Sequence, residues 1–239
     1  SLQINLNVVS CLVDSKYKGK IFYSSSACIY PQEIQDGSRH ALYQGLKESD
    51  AYPAHPDSEY GWETLMSERY FLSASRNKNL NLRIGRFHNI YGPEGTYKGG
   101  REKAPAAMCR KAISPFLQFP NMHTSLKPIL NIWGDGEQTR SFLYVSDCVD
   151  AVLLLMKSEF KEPINIGSEE MVSINQLAQI AIDLSGQDMI IVHDLENKAL
   201  GVRGRNSNND LIRKELGWEP KFTLRQGMEK TFNWIRAQI

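Results

Sequence analysis

No stretch of this sequence is apolar for the roughly 20 residues that a membrane-spanning helix needs. No basic start followed by an apolar block marks a secretion signal either. Charge of one sign is also missing: 28 Lys and Arg face 27 Asp and Glu, for a net charge of +1. That balance excludes a broad field of the kind that attracts nucleic acid or an acidic membrane, so any basic site has to be local. Cysteine is scarce. Cys11, Cys28, Cys109 and Cys148 form no CxxC pair and stand at no metal-ligand spacing from a histidine, which argues against both a metal site and a disulfide scaffold. Scattered thiols of this kind predict a reduced, cytoplasmic setting. Internal repeats and low-complexity tracts are absent. So is any GxGxxG or GxxGxxG turn, the device with which many α/β sheets cradle a diphosphate; Gly99-Gly100 and the Gly201/Gly204 pair do not match it.

What is present is an ordinary globular balance, 41% hydrophobic and 23% charged over 239 residues, enough for one large domain or two small ones. Leu2, Ile4, Leu6, Val8, Val9, Leu12 and Val13 predict a helix over 2–17. Lys20 to Ser26 (KIFYSSS) reads as a short buried strand, followed by an irregular polar stretch from about Pro31 to Ser58 that Pro53 and Pro56 interrupt. Residues 59–77 read as a helix and Leu80 to Phe87 as the next strand. Strand, helix and strand in succession predict a parallel α/β sheet. Further on, Arg101 to Ala112 reads as a helix and Ser114 to Leu130 as a loose insertion. Ile132–Trp133 and Arg140 to Val145 flank a tight Gly134-Asp135-Gly136 turn, and Ser146 or Asp147 is placed to cap the next helix. Ser173 with Gln176 and Thr223 with Gln226 are capping-box pairs, and Gly217 stands at a helix end.

The residues that could carry chemistry are individually unremarkable. Ser24, Ser25 and Ser26 on their own are a strand-ending turn, and Tyr60 is a residue of an amphipathic helix. Cys28 alone is a small buried hydrophobe and Lys103 alone a solvated surface charge. Their company changes the reading. Ser24-Ser25-Ser26-Ala27-Cys28 precedes Tyr60, then come Arg86-Phe87-His88-Asn89-Ile90-Tyr91-Gly92-Pro93, Gly134-Asp135-Gly136-Glu137-Gln138-Thr139-Arg140-Ser141-Phe142 and Asn165-Ile166-Gly167. Four such segments in this order resemble the extended short-chain dehydrogenase/reductases of the NAD-dependent epimerase/dehydratase family. Three more, Ser25-Ser26-Ala27-Cys28-Ile29-Tyr30-Pro31, Gly99 to Ala107 (GGREKAPAA) and Gly201 to Ser207 (GVRGRNS), are similar to the branch of that family that inverts C3 and C5 of GDP-mannose.

The resemblance covers residue 2 to the C-terminus and implies an incomplete Rossmann-like doubly wound parallel sheet with a smaller C-terminal α/β substrate-binding region. Residues 1–100, with parts of 140–167 returning to it, are expected to be the second half of the NAD(P)-binding domain, truncated at its N-terminus. Residues 101–239 are expected mainly to bind a nucleotide sugar. The implied catalytic residues are Tyr60 and Ser26 at a hexose hydroxyl, with Cys28 and Lys103 exchanging protons on opposite faces of the ring. Ser24, Tyr60, Phe87 and Asn89 are implied beside the NAD cofactor. Asn89, Lys103, Lys111, Gln138, Arg140 and Arg205 are implied to bind substrate, the arginines because a planar fork suits phosphate. His88 is expected to be structural. The implied assembly is a homodimer through the helices at 2–17 and 59–77, with no nucleic-acid or membrane partner.

One departure stands out. Family members carry a Lys four residues after the Tyr, one helical turn on, whose ammonium helps a phenol of ordinary pKa near 10 to act as a base. Here Thr64 stands in that place. Two alternatives therefore stay open: a catalytically silent binding or structural module, and a related NAD-dependent nucleotide-sugar 4-epimerase, decarboxylase or dehydratase.

Overall fold

The structure, a computed structural model, describes residues 2–36, 45–118, 127–196 and 201–239. Helix α1 (Leu2–Asp14) is followed by strand β1 (Lys20–Ser26), helix α2 (Glu59–Lys78) and strand β2 (Asn81–Phe87). Between β1 and α2 the chain makes only short 3-10 turns, Ala27–Ile29, Gln32–Ile34 and Glu48–Ala51, so the irregular stretch is as its prolines predict; residues 37–44 lie outside the described residues. Strand β7 (Ile164–Ile166) joins β1 and β2 in the order β1-β2-β7, all parallel, with Tyr23 opposite Ile84 and Arg86 opposite Asn165. A parallel strand covered on both faces has no polar side to show, and Leu82 to Arg86 of β2 are all buried.

The two faces are covered by different helices. Val9 of α1 and Phe71 and Ala74 of α2 pack with Tyr23, Leu82 and Ile84 on one face. On the other, Cys148, Ala151 and Leu155 of the helix at 145–157 pack with Ile164, Ile166, Ile212 and Trp218. The sheet is therefore doubly wound, as expected. Among the described residues β1 pairs only with β2, which leaves its other edge open.

The chain then leaves and re-enters this sheet. After β3 (Ile90–Tyr91) come α3 (Ala104–Gln118), β4 (Ile129–Trp133), β5 (Thr139–Ser141), β6 (Leu143–Tyr144) and α4 (Val145–Lys157). Beyond β7 follow β8 (Met171–Ser173), α5 (Ile174–Ser185), β9 (Ile190–Asp194), β10 (Gly204–Arg205), α6 (Asp210–Leu216) and α7 (Leu224–Gln238). Cys109, Ala112 and Ile113 of α3, Leu177 and Ala181 of α5, and Met228 and Phe232 of α7 form a second core with Leu130 and Ile132 of β4. Both predicted capping boxes are formed, and Gly217 ends α6 at φ 61°.

Three readings from sequence are corrected. The first helix stops at Asp14, and Lys16 turns out of it at φ 51°. Helix α3 starts three residues later than Arg101, because Gly99 and Gly100 sit at φ 94° and 81°, and it runs on through Ser114 and Pro115. Pro115 is tolerated in its last turn, where a missing N–H costs one bond to a neighbouring carbonyl; residues 119–126 of the expected insertion lie outside the described residues. Finally, neither Ser146 nor Asp147 caps α4: its N-cap is Tyr144, with no side-chain cap bond. The buried Asp147 carboxylate instead accepts the backbone N–H groups of Lys221 (3.1 Å) and Phe222 (3.0 Å), pinning the approach to α7. Hydrogen bonds to a buried charge are strong, so Asp147→Ala is expected to cost about 2–4 kcal/mol, read as a lower urea midpoint with an unchanged slope.

Candidate active site

The C-terminal ends of β1 and β2 are where a parallel sheet presents ligands, and here they carry the serine turn. Ser24 is exposed at the open edge. Ser26 accepts the backbone N–H of Cys28 at 3.2 Å and so caps the 3-10 turn 27–29, while its own hydroxyl proton stays available. Ser58 caps α2 by accepting from Gly61 N, which sets Tyr60 in the first turn. Gly61 is required there: a Cβ would lie 2.3 Å from the carbonyl oxygen of Cys28. The turn bearing Tyr60 thus rests directly on the backbone of the thiol residue. Tyr60 is 60% exposed and its phenol makes no hydrogen bond among the described residues.

Cys28 is half-buried, and its sulfur accepts from Arg205 Nη1 at 3.1 Å. Arg205, 8% exposed, also donates from Nε to Gln35 Oε1 at 2.5 Å and from Nη2 to Asp57 Oδ2 at 3.5 Å. Arg140 belongs to the same group. Its Nη1 donates to Thr139 O and its Nη2 to Val202 O, and burial, with the charge of Arg205 second, pushes it down to about 10. Two arginines so close to a thiol, balanced by Asp57 and Asp36, form a pocket of fixed charge.

Lys111 and Gln138 meet elsewhere, on the wall of a cavity of about 890 Å³ between α3, β4 and α5 that also holds Met108 and Trp133. Lys111 donates to Asn131 O at 2.7 Å, and burial holds its ammonium below the ordinary lysine range. Lys103 stands at the exposed start of α3 between the wall residues Glu102 and Ala104. Its ammonium has no partner among the described residues, and no contact joins it to Cys28 or Tyr60 there. Asn89, at φ 46°, donates from Nδ2 to Ser141 O, and Phe87 at the end of β2 packs against Phe22. The structure thus groups Cys28, Ser26, Arg140 and Arg205 beside Tyr60. It groups Lys111 with Gln138 separately, and leaves Lys103 on the rim.

Beneath the site runs a buried polar chain that sequence reasoning missed. Ser25 Oγ donates to Glu68 Oε2 (2.6 Å), and Arg86 reaches both Glu68 oxygens (2.6 and 3.1 Å). Arg86 continues to Tyr30 OH, and Tyr30 donates to Asn165 Oδ1 at 2.6 Å. His88 Nε2 meets the same oxygen at 3.0 Å; burial pushes this histidine down to about 3, so it is neutral, in keeping with a structural part. Thr64 is 6% exposed one turn before Glu68, and its carbonyl accepts from Tyr23 OH. Glu68 falls in the buried repeat Gly61, Thr64, Leu65, Glu68, Phe71 of α2, and that helical spacing gives the one sequence signal for it. Gln35 and Asp57 had none.

A doubly wound sheet with a serine turn and a following tyrosine defines a class, and comparison agrees: residues 1–167 match the NAD dependent epimerase/dehydratase family, to which this chain belongs. Among curated proteins, GDP-mannose 3,5-epimerase of Arabidopsis thaliana is 47% identical over 220 residues, covering 92% of this chain and 54% of that one. The chain spans about half the length of this and a similar curated relative, GDP-mannose 3,5-epimerase 1 of Oryza sativa. Among solved structures, Pal of Bacillus thuringiensis is 27% identical with a TM-score of 0.79, covering 98% of this chain and 67% of its own. UDP-glucose 4-epimerase of Thermotoga maritima, at 24% identity and TM-score 0.79 over 98% and 68%, shares the fold. Among the described residues no helix is long and apolar enough to cross a membrane, and no cluster of His, Cys, Asp and Glu could hold a metal.

Proposed function

We propose that this chain is the substrate-handling part of an NAD-dependent epimerase that inverts C3 and C5 of GDP-mannose. The observation that carries this reading is the Cys28 sulfur, hydrogen-bonded at 3.1 Å to Arg205, on a residue whose carbonyl lies against the helix turn of Tyr60. Inversion needs one group to remove a proton and another to return one from the opposite face. A thiol and an amine, Cys28 and Lys103, supply such a pair. Lys103 on the rim reaches the ring by moving with the glycine-rich segment before α3. Tyr60 and Ser26 handle the proton of a ring hydroxyl. Lys111 and Gln138 hold the nucleotide side, with Arg140 and Arg205 closing on the diphosphate and sugar.

NAD, when bound, supplies hydride chemistry at C4, which acidifies the neighbouring C–H bonds. The ends of β1 and β2, with Ser24, Tyr60, Phe87 and Asn89, fit the nicotinamide side. The pyrophosphate turn has no counterpart in these 239 residues. A homodimer through α1 and α2 fits Ile4, Val8, Trp62 and Met66, which those helices leave exposed. Four free cysteines fit a cytoplasmic setting.

The test is proton exchange. The full natural polypeptide carrying these residues, incubated in heavy water with NAD and GDP-mannose, is expected to lose its H3 and H5 sugar signals by NMR. A second reading, a silent binding module, is favoured by one observation: Thr64 brings no cation to Tyr60. Tight GDP-mannose binding with no exchange would select it.

A further inference from the structure

We propose that Gln35 is the positioning residue that aims Arg205 at the sulfur of Cys28; this rests on the reading of Cys28 as a working group of the site. Gln35 is 1% exposed and spends both halves of its amide. Nε2 donates to two backbone carbonyls, Tyr30 O at 3.0 Å and Pro31 O at 2.9 Å. Only the amide nitrogen can donate to a carbonyl, so these two bonds fix which way the group points. Oε1 is thereby turned towards Arg205 Nε, which it meets at 2.5 Å. With Nε held, the planar guanidinium has one orientation left, and in it Nη1 faces Cys28 and Nη2 faces Asp57.

The main chain around Gln35 does a separate job. Gly204 N donates to Gln35 O at 2.9 Å and Arg203 N to Asp36 Oδ1 at 2.6 Å, stitching the segment 203–205 in place whatever side chain stands at 35. The backbone thus locates Arg205 and the amide aims it. The charged and titratable groups gathered around the thiol are Arg205 on β10, Arg140 on β5, Asp57 ahead of α2, Asp36 after the turn 32–34, and Tyr60 on α2. Without Gln35 as its anchor, Arg205 is free to swing to Asp57 or Asp36 and leave the sulfur. A thiolate is the nucleophile in alkylation and an adjacent cation favours it, so labelling reports the aim directly.

The experiment compares iodoacetamide labelling of Cys28 with that of exposed Cys11 in the same sample, read by peptide mass spectrometry. Buried Cys109 and Cys148 report whether each variant is folded. Gln35→Met, which keeps the volume and loses the acceptor, is expected to lower the Cys28:Cys11 ratio about fivefold, as Arg205→Met does. The double variant is expected to fall no further, because both remove one interaction. An unchanged ratio in Gln35→Met, or additive losses, would overturn the proposal. Should Cys109 and Cys148 become reactive in Gln35→Met, Arg205→Lys takes its place. It keeps a cation but lacks the planar fork that Gln35 aims, and a ratio within about twofold of the parent would count against the aim. Labelling needs no turnover, so this result and the exchange result can fail independently.

Discussion

Glu68→Ala is expected to lose about 3–5 kcal/mol of stability, the largest single effect in the sheet half of the molecule. The carboxylate is fully buried, and Arg86, itself 3% exposed, grips both of its oxygens. Removing the acid leaves a buried guanidinium with only Tyr30 OH and the carbonyl of Glu48 as hydrogen-bond acceptors, and leaves the Ser25 hydroxyl without the acceptor it donates to. The cost is that of an uncompensated buried charge, not the worth of the pair. Glu68→Ala with Arg86→Met should therefore recover much of the loss, since two apolar side chains leave nothing unpaired. Urea unfolding of the four proteins of that cycle measures it; a single-variant loss below about 1 kcal/mol would mean that the pair is open to solvent.

Cys28→Ala is expected to slow exchange at the sugar carbons by about 10²–10⁴-fold, the usual contribution of a positioned acid or base. Lys103→Met should produce a loss of the same order. On the proposed division of the two ring faces, each variant should retain exchange with solvent on the face its partner serves. Single-turnover NMR with stereospecifically deuterated sugar reads this split. Equal slowing of both steps by Lys103→Met, with binding of GDP-mannose weakened in proportion, would make the lysine a substrate anchor only. Cys28→Ala leaves Arg205 its bonds to Gln35 and Asp57, so nucleotide affinity should change little.

The layout of the sheet half was legible because its signals are local. KIFYSSS could only be a short strand entering a turn, and β1 runs from Lys20 to Ser26 as read. Capping boxes at Ser173 and Thr223 were legible for the same reason, each being a bond between residues three apart. Reading failed where the partner lies far along the chain. Asp147 looks like a cap because it opens a helix, yet its partners are 74 and 75 residues away. The charges of Glu68, Arg83 and Arg86 give no local sign of burial, yet all three are buried by pairing that sequence order conceals. The end of α3 was misjudged because Pro115 carries a strong local breaking signal, overridden by packing of Cys109, Ala112 and Ile113 against α5 and α7. Of the site, the serine turn, Tyr60 and Cys28 were found through ordered segments, while Gln35 and Asp57 are visible only once the chain is folded.

The missing side chain at position 61 has a mechanical meaning. With the helix backbone seated hard on the carbonyl of residue 28, the main chain that carries the phenol and the main chain that carries the sulfur are held at one spacing. Accommodation of a ligand therefore falls to rotation of the exposed Tyr60 side chain and to the exposed rim at 99–103, not to a shift of these two stretches of backbone against each other.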